Sequence, residues 1–242
     1  SLNWILMIYN SVKNEIENLL KDSNKDSLNV QISYSGGMDS SCLLDILLKI
    51  KNEIKIEVFI SYVNYFTSNY SVLVIDYIMN SFPEDKIFIK SSKISKNDNF
   101  ESNARKIRYN FLQKIEKKHC IDYTFTAHHQ DDQFETVLMK FLDGSDEITK
   151  QGIRRMYNKI YRPLLKVRKK DIERYCIDNN IKYFDDPTNN DIYFKRNKVR
   201  KILIPQIKND SFITNKIIST NKKSLKLLSY NKILVSKLIK KI

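Results

Sequence analysis

Apolar residues recur at helical spacing from the start of the chain, where Ile5, Ile8, Val12, Ile16, Leu19 and Leu20 share one face of an amphipathic helix over residues 2–20. The polar run Asp22-Ser23-Asn24-Lys25-Asp26 ends that helix. From Leu28 the pattern alternates. Apolar runs at 28–34, 56–63, 86–90 and 121–126 have the length of buried strands, and the stretches at about 40–50, 70–81, 100–117 and 132–142 keep a helical period. Strand and helix in strict alternation predict an α/β fold: an open, mostly parallel sheet with helices on both faces and right-handed crossovers. Ligands of such sheets bind beyond the carboxyl ends of the strands. After Leu142 a polar stretch through Arg155 reads as a surface loop, followed by an extended piece at 160–165 and a helix at about 168–179. Residues 184–194 are turn-rich, and the remainder of the chain is helical and basic apart from Pro205. The expected division is a main domain over 1–190 and a short helical, basic C-terminal extension over 191–242.

Composition narrows the setting. The chain has 242 residues, 42% of them hydrophobic, enough for a real core. No apolar run approaches the roughly 20 residues that cross a bilayer, so the expectation is a soluble protein of the cytoplasm, or of an organelle if a leader was trimmed. Cys42, Cys120 and Cys176 are widely separated and form no C-x-x-C pair, which suits a reducing compartment, with Cys42 packed in an apolar helix face. A net charge of +14 points to a polyanionic partner, although abundant Lys, Asn and Ile also fit the codon bias of an AT-rich genome. Position argues for the partner: from Arg196 to Ile242 there are 13 Lys plus Arg against one acid, Asp210.

The densest chemistry lies at Ser35-Gly36-Gly37-Met38-Asp39-Ser40, where a strand gives way to a helix and free backbone N–H groups favour a bound phosphate. Gly36 and Gly37, two of only four glycines, permit positive φ and let a pyrophosphate approach the backbone. Ser35 and Ser40 offer hydroxyls, and Asp39 offers a ligand for Mg²⁺. The bland alternative is an ordinary tight turn. Further on, Ala127-His128-His129-Gln130-Asp131-Asp132-Gln133-Phe134-Glu135-Thr136 places Asp132 and Glu135 three apart at a helix start, on one face that could receive an ammonium group. Helix capping is the alternative for that pair; zinc is disfavoured because adjacent histidines on an extended segment point opposite ways. All nine arginines lie between 105 and 200, in clusters that include Arg105 and Arg108, Arg162 and Arg168, and Arg196 and Arg200. In so lysine-rich a chain, Arg suggests a planar fork on phosphate or carboxylate, with a solvated helix face as the alternative.

The hexapeptide is neither a Walker loop nor a dinucleotide fingerprint. It resembles the PP-loop of the ATP-pyrophosphatase families, whose fold is that of the adenine nucleotide alpha hydrolases. Together with A-H-H-Q-D-D-Q-F-E-T, R-P-L-L at Arg162 to Leu165, and D-x-Y-x-x-R-N-x-x-R from Asp191 to Arg200, it closely resembles the tRNA(Ile)-lysidine synthetases over about residues 28–205. That resemblance implies ATP and Mg²⁺ as cofactors, and a tRNA(Ile) with a CAU anticodon and free L-lysine as partners, with no membrane; a homodimer is carried as a further expectation. It implies that ATP adenylates the C2 oxygen of the wobble cytidine and that lysine's ε-amine then attacks C2. Carried over by motif, Ser35, Gly36, Gly37, Met38, Asp39 and Ser40 bind ATP with Arg108 and His129, and Asp39 takes Mg²⁺. Asp132 and Glu135 recognise lysine. Asp39, Asp132, Glu135 and Arg105 are the residues expected to carry the chemistry, and Arg162, Arg168, Arg196 and Arg200 those expected to meet tRNA. Two departures stand out. Where that family usually has N-H-x-x-R after the second strand, this chain reads Val63-Asn64-Tyr65-Phe66-Thr67, and it ends soon after the main domain, where many relatives continue into further tRNA-binding domains; the expectation is that the basic tail compensates. A 2-thiolation enzyme on the same scaffold, a small-molecule synthetase of the amidotransferase type and a non-enzymatic RNA-binding module are the competing readings. The first needs paired cysteines, the second lacks a visible glutaminase, and the third leaves the hexapeptide and acid pair unexplained.

Overall fold

A computed structural model describes residues 2–66, 70–94, 100–144, 152–185 and 195–208. These fall into two compact units, residues 1–130 with 155–190, and residues 131–154 with 191–242. The first unit opens with helix α1 (Leu2–Ser23) and then alternates β1 (Leu28–Tyr34), α2 (Met38–Lys51), β2 (Ile56–Asn64), α3 (Tyr70–Ser81), β3 (Ile87–Ser91), α4 (Phe100–Lys118) and β4 (Tyr123–Phe125). Helix α5 (Gln130–Leu142) comes next, then β5 (Met156–Tyr157), β6 (Ile160–Tyr161) and α6 (Lys169–Asp178). The sheet order is β3-β2-β1-β4-β6-β5, parallel except for the β5–β6 hairpin. This is the open, mostly parallel sheet expected from the alternation. Chain order reverses between β1 and β4, so the crevice outside their carboxyl ends is the switch point at which such sheets hold ligands.

Parity along β2 shows why both faces are covered. Val58, Ile60 and Tyr62 enter one core with α1, α2, α3 and α6, while Phe59 and Val63 enter another with Phe111 and Ile115 of α4. Between Phe59 and Val63 the second face carries a buried polar ladder. Gln31 donates to the Leu112 carbonyl (3.0 Å) and to Thr124 Oγ1 (2.7 Å), and accepts from Ser61 Oγ (2.9 Å). A fully buried amide is tolerated there because its donors and its acceptor are partnered. On α1, Ile8, Val12, Ile16 and Leu19 are buried, the stripe read from the sequence.

The boundaries shift where tertiary pairing decides. The run 121–126 pairs only over Tyr123–Phe125, and after Tyr161 the extended piece turns into a 3₁₀ stretch, Pro163–Lys166, with Pro163 at its first turn. Within the second unit, α5 packs Val137 and Leu138 against Val199 and Ile204. There α7 (Lys195–Lys198) runs into a π-helical turn, Val199–Leu203, and then α8 (Ile204–Lys208). Pro205 has no N–H for the carbonyl four residues back, and the wide turn sits just ahead of it, as an interrupted ladder requires. Most of the basic extension, from residue 209 onward, lies outside the described residues, as do Asp191 and Tyr193. Among the described residues, no helix is long and apolar enough to cross a membrane.

Candidate functional site

In the first unit the hexapeptide forms the turn between β1 and α2. Gly36 has φ +83, and a Cβ there would lie 2.5 Å from Val74 Cγ2 and 2.8 Å from the Tyr70 hydroxyl, so glycine is required both by conformation and by space. Gly37 differs from expectation. Its φ of −76 and ψ of 165 are open to any residue, because it serves as the extended N-cap of α2 and not as a second left-handed turn. The loop is held from outside: Tyr70 Oη donates to the Ser35 carbonyl (2.7 Å), and the Phe184 N–H to the Gly36 carbonyl (2.9 Å). Inside, Ser40 Oγ lies 3.0 Å from Ser35 Oγ, accepts the Ser35 N–H at 3.2 Å and meets the Gly37 carbonyl at 2.9 Å. With both carbonyls tied back, the first N–H groups of α2, which have no intrahelical acceptor, face the mouth of the turn.

Asp39 leads this helix, and two residues missing from the hexapeptide converge on it. Lys169 Nζ, from the first residue of α6, is 2.6 Å from Oδ1, and His129 Nε2, just beyond β4, is 3.6 Å from Oδ2. Burial pushes the Asp39 carboxyl up, but the His129 contact and the Lys169 charge outweigh it and hold the group below the usual carboxylate range. The two histidines part as their alternation demands: His129 is buried towards Asp39, while His128 Nδ1 pairs with Thr126 Oγ1 at 2.9 Å. His129 was legible from its motif; Lys169 was not, since it is one of three cations in a row, Arg168-Lys169-Lys170. An ionised carboxylate beside serine hydroxyls is a hard oxygen set, and so suits a Mg²⁺ ion that keeps phosphate and water as its other ligands.

Beside the loop, between the ends of β1 and β2, lies a cleft of about 120 Å³ lined by Ser35, Ser61, Tyr62, Tyr65, Tyr70 and Arg108. Tyr65, which stands in the segment where a basic contact was missed, donates its hydroxyl to the Ala104 carbonyl (2.8 Å) and so ties the end of β2 to α4. Arg105 and Arg108 both lie over the Tyr109 ring, at 4.6 and 5.8 Å from its centroid. Arg162 is 5% exposed, and burial pulls its guanidinium below the usual value although Tyr109 opposes this. Arg168, on the surface, forms a two-pronged pair with Asp171 (2.7 and 3.0 Å) across the first turn of α6.

In the second unit the acid pair is buried and engaged. Glu135 is 2% exposed and Asp132 9%. Arg196 Nε donates to Glu135 Oε2 (3.1 Å) and its Nη2 to Asp132 Oδ1 (2.9 Å). Arg200 Nε donates to Glu135 Oε1 (2.5 Å), and its Nη2 to Glu135 Oε2 (2.9 Å) and Asp132 Oδ1 (3.3 Å). Residues assigned separately to lysine and to tRNA therefore form one neutral cluster.

A parallel α/β sheet whose first strand ends in a glycine turn, with an aspartate in the first turn of the helix that follows, defines a protein of the doubly wound class with a turn suited to phosphate. Its sequence matches the PP-loop domain over residues 8–207, and the chain belongs to that family. It is 31% identical over 77% of its length to the tRNA(Ile)-lysidine synthase of Treponema denticola, and 32% identical over 87% to that of Clostridium perfringens strain 13, which bears out the resemblance read from the motifs. It covers 43% and 47% of those two proteins, so the chain spans a little under half the length of these relatives. Among solved structures, the U34-tRNA thiolase NcsA of Methanococcus maripaludis shares the fold, with a TM-score of 0.69 and 20% identity over 93% of this chain and 79% of that one.

Proposed function

We propose that this chain carries out the chemistry of lysidine formation: ATP-dependent adenylation of C2 of the wobble cytidine in a CAU-anticodon tRNA(Ile), followed by attack of the ε-amine of free lysine. The supporting observation is the Asp39–Lys169–His129 constellation at the PP-loop, in a chain 31–32% identical over most of its length to tRNA(Ile)-lysidine synthases. The cytidine C2 oxygen attacks the α-phosphorus of ATP and pyrophosphate leaves; the lysine nitrogen then bonds to C2, loses a proton and expels AMP. The PP-loop N–H groups and the Ser35 and Ser40 hydroxyls receive the phosphates, where a Mg²⁺ ion held by Asp39 would offset their charge. Lys169 adds a positive charge at the same place, and Arg105 and Arg108 stand beside the neighbouring cleft as donors to the nucleotide or the activated base. Asp132 and Glu135 select a cationic amino acid. Work in the cytoplasm, as a monomer or a homodimer, fits this reading.

The test is to incubate the protein with labelled lysine, ATP and candidate tRNAs. Label should enter a CAU-anticodon tRNA(Ile) only when ATP is present, and Asp39→Ala should abolish pyrophosphate release. Incorporation without ATP, or none into that tRNA, rejects the assignment.

A further inference from the structure

The cluster of Asp132, Glu135, Arg196 and Arg200 holds two carboxylates and two guanidinium groups, with the carboxylate side chains only 12% and 3% exposed. Its charge is balanced. A cationic amine added to it as it stands would be a third cation against two anions, beside carboxylates that are almost fully buried. The acids therefore accept an ammonium only in exchange for a guanidinium.

Resting on the reading of lysine as co-substrate, we propose that Arg196 and Arg200 are placeholders for it: in the free protein their guanidinium groups occupy the positions on Asp132 and Glu135 that a cationic amino acid takes, and Arg200 is the one displaced. Arg200 is the more exposed, 41% against 30% for Arg196. It is also held in the π turn Val199–Leu203, a turn type of poorer hydrogen-bond geometry than the flanking α-helix. Buried Val199 on one side and Ile204 on the other fix the backbone in the apolar cluster with Val137 and Leu138, so the exchange is a swing of the arginine side chain and not a departure of the segment. The exchange acts as a filter. A neutral or acidic amino acid brings no net positive charge to replace the guanidinium, since its α-ammonium is offset by its own carboxylate, whereas a diamino acid restores the balance. It also keeps the two acids oriented between turnovers, a preorganised shape that side chains repelling each other would not hold unaided.

The experiment is calorimetric titration of L-lysine into the full chain and its Arg200→Ala and Arg200→Lys variants, with thermal melts of each. Removing the competitor should tighten lysine binding about tenfold or more in Arg200→Ala, because the population bound to the internal cation no longer has to be displaced. The same variant should melt earlier than wild type without lysine and regain stability with it, and ethylguanidinium should restore the melt and compete with lysine. Arg200→Lys, which keeps an internal cation, should stay near wild-type affinity and serves as the folded control. If wild type binds lysine and Arg200→Ala binds it equally or more weakly, the placeholder is overturned while the lysine reading stands. If no protein binds lysine at millimolar concentration, the lysine reading fails, and the placeholder with it.

Discussion

At the scale of single residues, the two glycines of the PP-loop separate two properties that the sequence presents as one. Gly36 is confined by φ +83 and by Val74 and Tyr70, so Gly36→Ala should destabilise the protein by roughly 1–3 kcal/mol from backbone strain alone, more with the clash, as an earlier thermal melt. Gly37→Ala meets only an ordinary 3.5 Å contact with Ser35 Oγ and should cost less than about 1 kcal/mol. A fall in ATP affinity in Gly37→Ala with an unchanged melt would then report the approach of a phosphate to the backbone. Asp39 permits a pH test. Its carboxyl is held below the ordinary range by His129 and Lys169 against the opposing effect of burial, so its contribution to stability is present above the unfolded value of about 4 and lost as pH falls through the folded one. Denaturant midpoints measured at neutral pH and near pH 3 should drop further for wild type than for Asp39→Asn; equal drops would mean that the ion pair with Lys169 contributes nothing.

At the scale of elements, α6 joins the site to the core. Its first residue, Lys169, reaches Asp39 on α2, and one face further along carries Tyr175, 1% exposed, whose hydroxyl donates to Asp45 Oδ2 at 2.7 Å on the same α2. Burial and the Asp45 bond push the Tyr175 hydroxyl far above its ordinary value, so it stays a donor at any working pH. Tyr175→Phe should therefore cost about 1 kcal/mol for the lost hydrogen bond, since Asp45 Oδ2 keeps its ion pair with Lys49 Nζ (2.8 Å), read as a lower denaturation midpoint. Lys169→Met should leave the fold intact yet weaken ATP binding; because it also frees an Asp39 oxygen, half-maximal Mg²⁺ for pyrophosphate release should fall while kcat falls too. A variant with unchanged Mg²⁺ dependence would show that Lys169 does not share that carboxylate with a metal. The elements themselves were legible because hydrophobic period is a local signal, and β2, α1 and α3 were readable from it. Their long-range pairings were not. Cys42 and Cys176, far apart in sequence, meet between α2 and α6, where the neighbouring thiol and burial raise the Cys42 thiol well above its ordinary value. Lys169 in a run of cations, Tyr70 on the PP-loop and the Arg196–Glu135 bond likewise depend on which helix lands beside which strand.

At the scale of the whole molecule, charge is the property that fold alone does not explain. The chain carries +14, and 13 of its Lys and Arg fall from residue 196 onward, of which Arg196 and Arg200 are paired with Asp132 and Glu135. The lysines beyond them are the proposed electrostatic hold on tRNA from this end, in a chain that covers under half the length of the synthases it resembles. Counterion release gives this a number: each phosphate neutralised contributes about 0.9 to the slope of log affinity against log salt on a duplex, and about 0.7 on a single strand. Replacing Lys216, Lys222, Lys223 and Lys226 by Gln in the full chain should flatten that slope by roughly 1–3, with binding weakened alike for cognate and non-cognate tRNA. An unchanged slope would place these lysines in water and the tRNA contacts elsewhere. The contrast with Arg200→Ala is diagnostic, because a residue committed to Glu135 should leave the salt slope alone and alter lysine use instead.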